Sequence, residues 1–200
     1  MEHLSEHLTV AEAIRSTTAA KHFISNVPTQ EQMANLRIWA NKVYEPIYAK
    51  FGNVYPSSVF RSVKLNSKVG GSGTSAHVKG FAGDLDGNGG VKGYVTVNNS
   101  DIFHFAIENL DFDQVIAEYE ENGQPRWIHI GLRAENNRKQ VLIAVKRGGT
   151  TLFLPYTPKV YASIYRSGAR SLGGAISARR DIPKPDWEAH DAELVDPDLI

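Results

Sequence analysis

The chain contains no cysteine among its 200 residues. This absence excludes disulfide bonds and thiolate metal ligands, so a metal site would have to use histidine and carboxylate side chains. Net charge is also absent, because 22 Lys and Arg residues balance 22 Asp and Glu residues, and no overall basic field would attract nucleic acid. We therefore expect no nucleic-acid partner.

Long apolar runs are missing as well. No segment reaches the roughly 18 apolar residues of a membrane span, so we predict no such span. The start of the chain, "MEHLSEHLTV", carries acidic residues where a signal peptide has basic ones. The sequence thus predicts a protein made in the cytoplasm without a signal peptide.

What the sequence does contain is 42% hydrophobic residues, enough for one domain core. Thr29 and Gln32 form a capping-box pattern before apolar residues at helical spacing. This predicts a helix that Pro46 kinks or ends and that Gly52 closes. A second helix is expected over 100–110, with Ser100 as its cap.

Strand patterns dominate the second half of the chain. The segment "EENGQP" predicts a hairpin turn between two of the strands, and "TTLFLPY" is a candidate for a further strand. Residues 66–93, rich in Gly, Ser and Asn, are expected to be loop. Strands are predicted at 57–63, 112–119, 126–133 and 139–147.

Helices followed by adjacent strands favour an α+β fold with a mainly antiparallel sheet and helices packed on it. We predict one domain over 1–150 and a C-terminal extension over 151–200. From residue 181 the extension carries seven acids, one Lys and three prolines, which favours loose order. Docking to a partner is the alternative.

The segment "SAHVKGFAGDLDGNGG" raises the question of a metal. Asp84, Asp86 and Asn88 have the spacing of the first calcium ligands in an EF-hand loop, but Val95 stands where that loop needs a bidentate Glu. A turn built from Gly, Asn and Asp, or an irregular cation site, is the simpler interpretation.

Zinc is the other possibility. A catalytic zinc needs three protein ligands, and His77 and Asp84 offer two of them. In the strand "WIHIGL", alternation puts His129 on the face opposite Ile128 and Ile130, so it is a candidate third ligand. A strand histidine that is only exposed or hydrogen-bonded remains the alternative.

The segment "SAHVKGFAGDLD" resembles the S-x-H-x-x-G-x-A-x-D pattern of the M15 family of zinc peptidases. That family includes D-alanyl-D-alanine carboxypeptidases, D-Ala-D-Ala dipeptidases and L-alanyl-D-glutamate endopeptidases, which cut peptidoglycan stem peptides. "FRSVKLNSKVGGS" and "WIHIG" also resemble its motifs, in the same order. The similarity runs over about 28–144 and is greatest to the bacteriophage and prophage branch.

The resemblance implies site residues. His77, Asp84 and His129 would bind Zn²⁺ in a cleft on the sheet. Arg61 would hold a carbonyl or carboxylate of the substrate and offset charge in the transition state. Ser75 would orient a ligand or contact the substrate.

One position departs from the family pattern. Many members have an acid three residues before the last histidine, where this chain has Arg126. We predict Glu118 as the general base, lying across from the Ile128–His129 region. Gln114, on the same strand face, is the second predicted substrate contact. A solvated Glu118 is the alternative, and the substitute bases would be Glu120, Glu121 and, more weakly, Asp86.

The function that the resemblance implies is zinc-dependent hydrolysis of a peptidoglycan stem peptide, as a carboxypeptidase or an L-alanyl-D-glutamate endopeptidase. With no signal peptide, the expected setting is phage lysis or a virion-borne enzyme acting at the bacterial cell wall. The extension would suit a virion or wall partner. Two alternatives stay open: a non-catalytic wall-binding or virion structural module, and a calcium-dependent binding protein.

Overall fold

A six-stranded sheet forms the centre of the protein, as seen in a computed structural model that describes residues 1–165. The acidic segment from 181, with its predicted loose order and docking role, lies outside the described residues. The strands occur in the spatial order β1-β2-β4-β3-β5-β6. They are β1 (Tyr55–Ser58), β2 (Ala82–Asp86), β3 (Gln114–Glu121), β4 (Gln124–Gly131), β5 (Gln140–Arg147) and β6 (Thr150–Pro155).

The prediction of an α+β fold with a mainly antiparallel sheet is confirmed. All neighbouring strands pair antiparallel except β3 and β5, which are parallel. The helices of the described chain are α1 (Val10–Ala13), α2 (Thr17–Lys21), α3 (Gln30–Trp39), α4 (Glu45–Phe51), α5 (Val63–Lys68), α6 (Ala76–Lys79), α7 (Asn99–Asn109) and α8 (Pro158–Ile164).

The two faces of the sheet have different roles. One face carries Val115, Ile128 and Ile130, which belong to the main core together with Trp39 of α3 and Phe103 of α7. The opposite face, called here the site face, carries Asp84, His129, Ile116 and Leu142 at successive register positions across β2, β4, β3 and β5. The side chains on the site face are therefore not needed to hold the main core together.

The helix predicted from Thr29 begins as expected, because Thr29 and Gln32 form both bonds of a capping box. The prediction that Pro46 ends the helix was wrong, because helical structure continues without a break to Phe51. A π-helical turn over Ala40–Tyr44 follows α3, and Pro46 lies in the first turn of α4, where a missing N–H costs little. Gly52, with φ of 88°, ends α4.

Two sequence predictions were wrong between the first helices and α7. The strand expected over 57–63 ends at Ser58, and Ser62 instead caps α5 through the N–H of Leu65. The segment 66–93, expected to be loop, contains α6 and the buried strand β2. Gly83 lies within β2 because it is closely packed against Trp39, and pairing with β1 and β4 outweighs its low β propensity.

Other boundaries moved by one or two residues. Asn98, rather than Ser100, caps α7 by accepting the N–H of Ser100. The predicted hairpin between β3 and β4 is confirmed, with Glu121 paired to Gln124. Its two turn residues, Asn122 and Gly123, have φ of 55° and 82°, as a two-residue hairpin turn requires.

The fold continues past residue 150. Strand β6 pairs with β5, and Tyr161 of α8 and Tyr165 after it are buried in the main core. The division into a domain over 1–150 and an extension stays a prediction. Among residues 1–165, no helix is long and apolar enough to cross a membrane.

Gly83 fixes the distance between β2 and α3. A Cβ at this position would lie 2.3 Å from Cζ2 of Trp39, whose Nε1 donates to the Ile130 carbonyl at 2.8 Å. We expect Gly83→Ala to lower the free energy of unfolding by about 1–3 kcal/mol through overpacking, measured by urea denaturation. Gly73→Ala is the control, because its Cβ would meet nothing within 4 Å; equal losses in both variants would contradict this explanation.

Asp113 fastens the start of β3 to the loop before β5. Its Oδ2 accepts Arg138 Nη2 at 2.7 Å and its Oδ1 lies 3.0 Å from Arg133 Nε. Burial by itself would raise the pKa of Asp113, but the hydrogen bonds and charge of Arg138, with the charge of Arg133, lower it overall.

A lowered folded-state pKa makes this carboxylate stabilising above its ordinary pKa of about 4, and the contribution is lost as the pH falls through the lowered value. We expect Asp113→Asn to reduce unfolding free energy by about 2 kcal/mol at pH 7 and by progressively less in acid. Urea titrations at pH 7 and pH 3 test this. Asp111→Asn, at an exposed pair with Lys139, should change little. A loss independent of pH would refute the electrostatic explanation.

Candidate metal centre

Three side chains from different elements bring one atom each to a common point on the site face. His77 lies on α6, Asp84 on β2 and His129 on β4. His77 Nε2 is 3.2 Å from Asp84 Oδ1 and 3.2 Å from His129 Nδ1, and His129 Nδ1 is 2.9 Å from Asp84 Oδ1. All three residues are buried. Within residues 1–165 this is the group of His, Asp and Glu side chains suited to hold a metal ion.

Local structure explains the spacing of His77 and Asp84. Helix α6 ends at Gly80, whose φ is 77°, and a Cβ there would lie 2.6 Å from the Gln32 carbonyl oxygen. The chain then reverses directly into β2. The seven-residue spacing between His77 and Asp84 therefore covers the end of α6, the turn at Gly80 and the first half of β2. Antiparallel pairing places Asp84 directly opposite His129, which brings the two side chains together.

Neighbouring groups fix how the three side chains are turned. His77 Nδ1 donates to the Val59 carbonyl at 2.6 Å, which leaves the Nε2 lone pair facing the cluster. Arg61 Nη2 donates to Asp84 Oδ2 at 2.6 Å, and its Nε donates to Ser58 Oγ at 2.9 Å. Because Oδ2 is occupied in this way, Oδ1 is the oxygen that faces the histidines. Such outer contacts orient metal ligands.

The protonation states also suit a cation. Burial lowers the pKa of His77, which keeps its imidazole neutral. Burial alone would raise the pKa of Asp84, but His77, His129 and Arg61 together hold it well below its ordinary value. A neutral imidazole and an ionised carboxylate are the forms that bind metal.

The residues fit zinc by distance and by type. Zinc bonds to nitrogen and oxygen are about 2.0–2.2 Å, so adjacent ligand atoms of a tetrahedral site are about 3.3 Å apart. The separations of 2.9–3.2 Å observed here are close to that value. Two histidines and a carboxylate leave a fourth position open, as catalytic sites do.

Glu118 lies on the same face of β3, two residues beyond Ile116, which pairs with His129. It pairs with Trp127 rather than with the predicted Ile128–His129 region, because the hairpin is centred between Asn122 and Gly123. Alternation still puts it on the side of His129. Burial, and then the charge of Asp84, raise the pKa of Glu118 to about 7.

Trp127 borders Glu118 through its indole ring. The indole N–H lowers the pKa of Glu118, yet Nε1 is buried and no atom within residues 1–165 completes a hydrogen bond with it. The indole N–H thus influences the Glu118 carboxyl without completing a hydrogen bond to it. The Trp127 donor is therefore left without a protein acceptor beside a half-buried carboxylate.

The substitute bases are engaged elsewhere. Glu120 accepts the Gly123 N–H at 2.6 Å, and Glu121 lies 3.7 Å from Arg126. Asp86 Oδ1 accepts the Asn88 N–H at 2.8 Å and the Asn99 side-chain amide at 3.2 Å. Arg126, which stands where many members of the M15 family have an acid, is exposed.

The predicted substrate residues lie two residues from a candidate ligand along the chain or across the strand pairing, since Ser75 precedes His77 and Gln114 pairs with Gly131. Ser75 directly precedes α6 and makes no side-chain cap. Gln114 is buried, and its Nε2 donates to Gln140 Oε1 at 2.7 Å. Their roles stay predictions.

The calcium-loop interpretation has no support in the fold. Asp84 and Asp86 lie within β2 and not in a loop between two helices. Asp84 faces the histidines and Arg61, while Asp86 holds the following turn.

Sequence reasoning missed the partners that orient the site. The acceptor for His77 is the backbone carbonyl of Val59, and a backbone group of this kind cannot be identified from the residue type. Ser58 Oγ lies three residues before Arg61, but the predicted strand through 57–63 obscured that contact. Trp127 lies in the same "WIHI" motif as His129 and on the same strand face, so its place beside the site could have been predicted from the alternation.

A family model described as Peptidase M15 matches residues 6–131. The match spans His77, Asp84 and His129, together with Arg61 and Glu118. No curated protein matches the chain.

Proposed function

The chain belongs to the peptidase M15 family, and we propose that it hydrolyses a peptide bond in peptidoglycan stem peptides with the aid of a zinc ion. Membership of a family of metal-dependent peptidases supports the reaction class. The observation that carries the metal is the convergence of His77 Nε2, Asp84 Oδ1 and His129 Nδ1 within 3.2 Å of one another. The peptidoglycan substrate follows from the resemblance of the motifs.

His77, Asp84 and His129 would hold the zinc. When bound, zinc supplies Lewis-acid chemistry, lowering the pKa of water toward neutrality and polarising a carbonyl. Val59 and Arg61 keep the ligands pre-oriented, since each binds the ligand atom that faces away from the cluster. Little reorganisation is then required on loading.

Glu118 is the proposed general base. Its carboxylate takes a proton as water attacks the substrate carbonyl carbon, and it returns that proton to the leaving amine nitrogen when the C–N bond breaks. The raised pKa of about 7 suits both transfers, because a group that titrates near the working pH can accept and donate.

Arg61 has a second proposed task besides holding Asp84. Its Nε and Nη2 are used by Ser58 and Asp84, and its Nη1 makes no hydrogen bond with residues 1–165. That free donor would bind the substrate carbonyl or carboxylate and offset developing negative charge. Ser75 and Gln114 are the further proposed substrate contacts.

The proposed setting is phage lysis or wall opening by a virion-borne enzyme, at the bacterial cell wall. A carboxypeptidase and an L-alanyl-D-glutamate endopeptidase are both compatible with this chemistry. The C-terminal extension, 151–200, would serve a virion or wall partner. The alternative, a non-catalytic wall-binding module that keeps the zinc site, predicts zinc and wall binding without cleavage.

Digestion of purified peptidoglycan tests the proposal. The zinc-loaded protein is incubated with the wall, with and without a chelator, and the released fragments are identified by mass spectrometry. Fragments that disappear with chelator would establish the metallopeptidase, and their masses would identify the bond. An unchanged wall in both samples, with zinc bound, would overturn hydrolysis in favour of the binding module.

A further inference from the structure

A cavity of about 420 Å³ opens on the protein beside Glu118. Trp127, in register with Glu118 on β3, forms one of its walls. Two of the lining residues are aromatic, two are basic and two are acidic. The lining residues are Tyr119, Glu120, Glu121, Arg126, Trp127, Val145 and Lys146.

The register of the sheet places the cavity relative to the reaction centre. Ala144 on β5 pairs with Glu118, and Lys146 lies two residues further along β5. Two strand residues span about 7 Å. By alternation Lys146 lies on the site face, on the side of Glu118 away from the metal cluster. Val145, which also lines the cavity, packs against the main core instead. A substrate extending along the site face past Glu118 would therefore meet the side of the cavity formed by Trp127 and Lys146.

Tyr119 adopts an unfavourable backbone conformation that shapes the cavity. Its φ is 54°, which is rare for an aromatic residue and persists only where the surroundings impose it. A regular strand would turn Tyr119 away from the site face. Here its ring packs with Ile116 and Leu142 on that face and meets Trp127 edge-on at 5.3 Å.

Lys146 is a cation without a carboxylate partner. Its Nζ lies 5.3 Å from the centre of the Tyr119 ring, and it forms no salt bridge within residues 1–165. Arg126, by contrast, lies 3.7 Å from Glu121. Glu120 is level with Lys146, two residues beyond the Glu118–Ala144 pair, but its carboxylate accepts the Gly123 N–H. Lys146 is thus the lining cation most available to an incoming anion.

Trp127 adds a donor to this environment. Its buried Nε1 lacks an acceptor among the described residues, and an unmet buried donor is costly unless a ligand satisfies it. A peptide carbonyl or carboxylate oxygen is an acceptor of the right kind. The cavity therefore offers an aromatic wall, one N–H donor and one available positive charge.

We propose that this cavity is a specificity subsite for a carboxylate-bearing residue of the substrate peptide, with Lys146 as the counter-charge; this rests on the proposed peptidase function. A peptide residue advances about 3.4 Å when extended. Along β5, Lys146 lies four residues beyond Leu142, which is level with Ile116 and His129, so the recognised carboxylate lies about four residues from the bond that is cut. Acidic stem peptides carry such groups, and their amidated forms do not.

Two synthetic stem peptides test the subsite, one with free side carboxylates and one with these groups amidated. The zinc-loaded full chain should cleave the free-carboxylate peptide with a kcat/KM about five-fold higher, as expected for a partly exposed ion pair. Lys146→Met should remove this preference and leave cleavage of the amidated peptide unchanged. Lys50→Met, at an exposed lysine on α4, is the matched control and should keep the preference.

Equal cleavage of both peptides by the wild type, or an undiminished preference in Lys146→Met, would overturn the subsite. If the wild type cleaves neither peptide, titration calorimetry of the zinc-loaded chain with each peptide decides separately. Tighter binding of the free-carboxylate peptide that Lys146→Met abolishes would uphold the subsite while hydrolysis fails. Equal binding, or binding of neither peptide, would overturn the subsite as well.

Discussion

Alanine at His77, Asp84 or His129 will abolish zinc binding and, with it, peptide cleavage. Each residue contributes one of three atoms that lie 2.9–3.2 Å apart, and removal of any one leaves two ligands. Loss of an orienting outer contact alone weakens metal binding about 10- to 100-fold, so loss of a ligand should weaken it by at least about 100-fold. Titration calorimetry with zinc gives the affinity and the stoichiometry, which should be one ion per wild-type chain.

Thermal unfolding provides an independent check on the same variants. An ion that binds only the folded chain stabilises it by mass action, so zinc should raise the Tm of the wild type. The three alanine variants should show no such rise. His22→Ala is the control, because His22 is exposed and outside the cluster. Zinc affinity of wild-type strength in any of the three variants would remove that residue from the site.

Glu118→Gln will retain zinc and lose turnover. The amide keeps the size of the side chain but accepts no proton, and a positioned general base contributes about 100- to 10,000-fold to the rate. We therefore expect kcat to fall by that factor while zinc affinity stays near the wild-type value. Cleavage of a stem peptide followed by mass spectrometry, together with zinc calorimetry, separates the two effects.

Glu120→Gln is the matched control for this prediction. Glu120 lies two residues away on the same strand, but it is exposed and accepts a hydrogen bond from the turn residue Gly123. The Glu120→Gln variant should therefore cleave the peptide at nearly the wild-type rate. Full activity in Glu118→Gln would show that another group is the base. Loss of zinc in that variant would instead make Glu118 part of the metal site.

Some of the site could be predicted because its evidence is local in the sequence. Glycine at position 80 ends a short helix and allows the reversal into β2, which keeps His77 and Asp84 within reach of each other. The alternation of "WIHI" separates His129 from the apolar face. These patterns depend on neighbouring residues, so a sequence contains them directly.

Other features required partners that are distant along the chain. β2 has a loop-like composition, with Gly83 as its second residue, because Trp39, more than forty residues earlier, occupies the space of a side chain there. Glu118 was expected opposite the Ile128–His129 region and lies opposite Trp127, since the hairpin turn has two residues and is centred between Asn122 and Gly123. Composition alone does not reveal such displacements.

By itself, then, the sequence determined the α+β class, the helix cap at Thr29, the hairpin and the three candidate ligands. Tertiary structure alone decided which atoms of those ligands converge, through the Val59 carbonyl and Arg61. It also decided that the ring of Tyr119 joins the site face, through a backbone φ of 54° that a regular strand does not have. The reason is physical: side-chain types and periodicity are local properties, whereas hydrogen-bond partners, register and imposed backbone strain exist only once distant segments pack together.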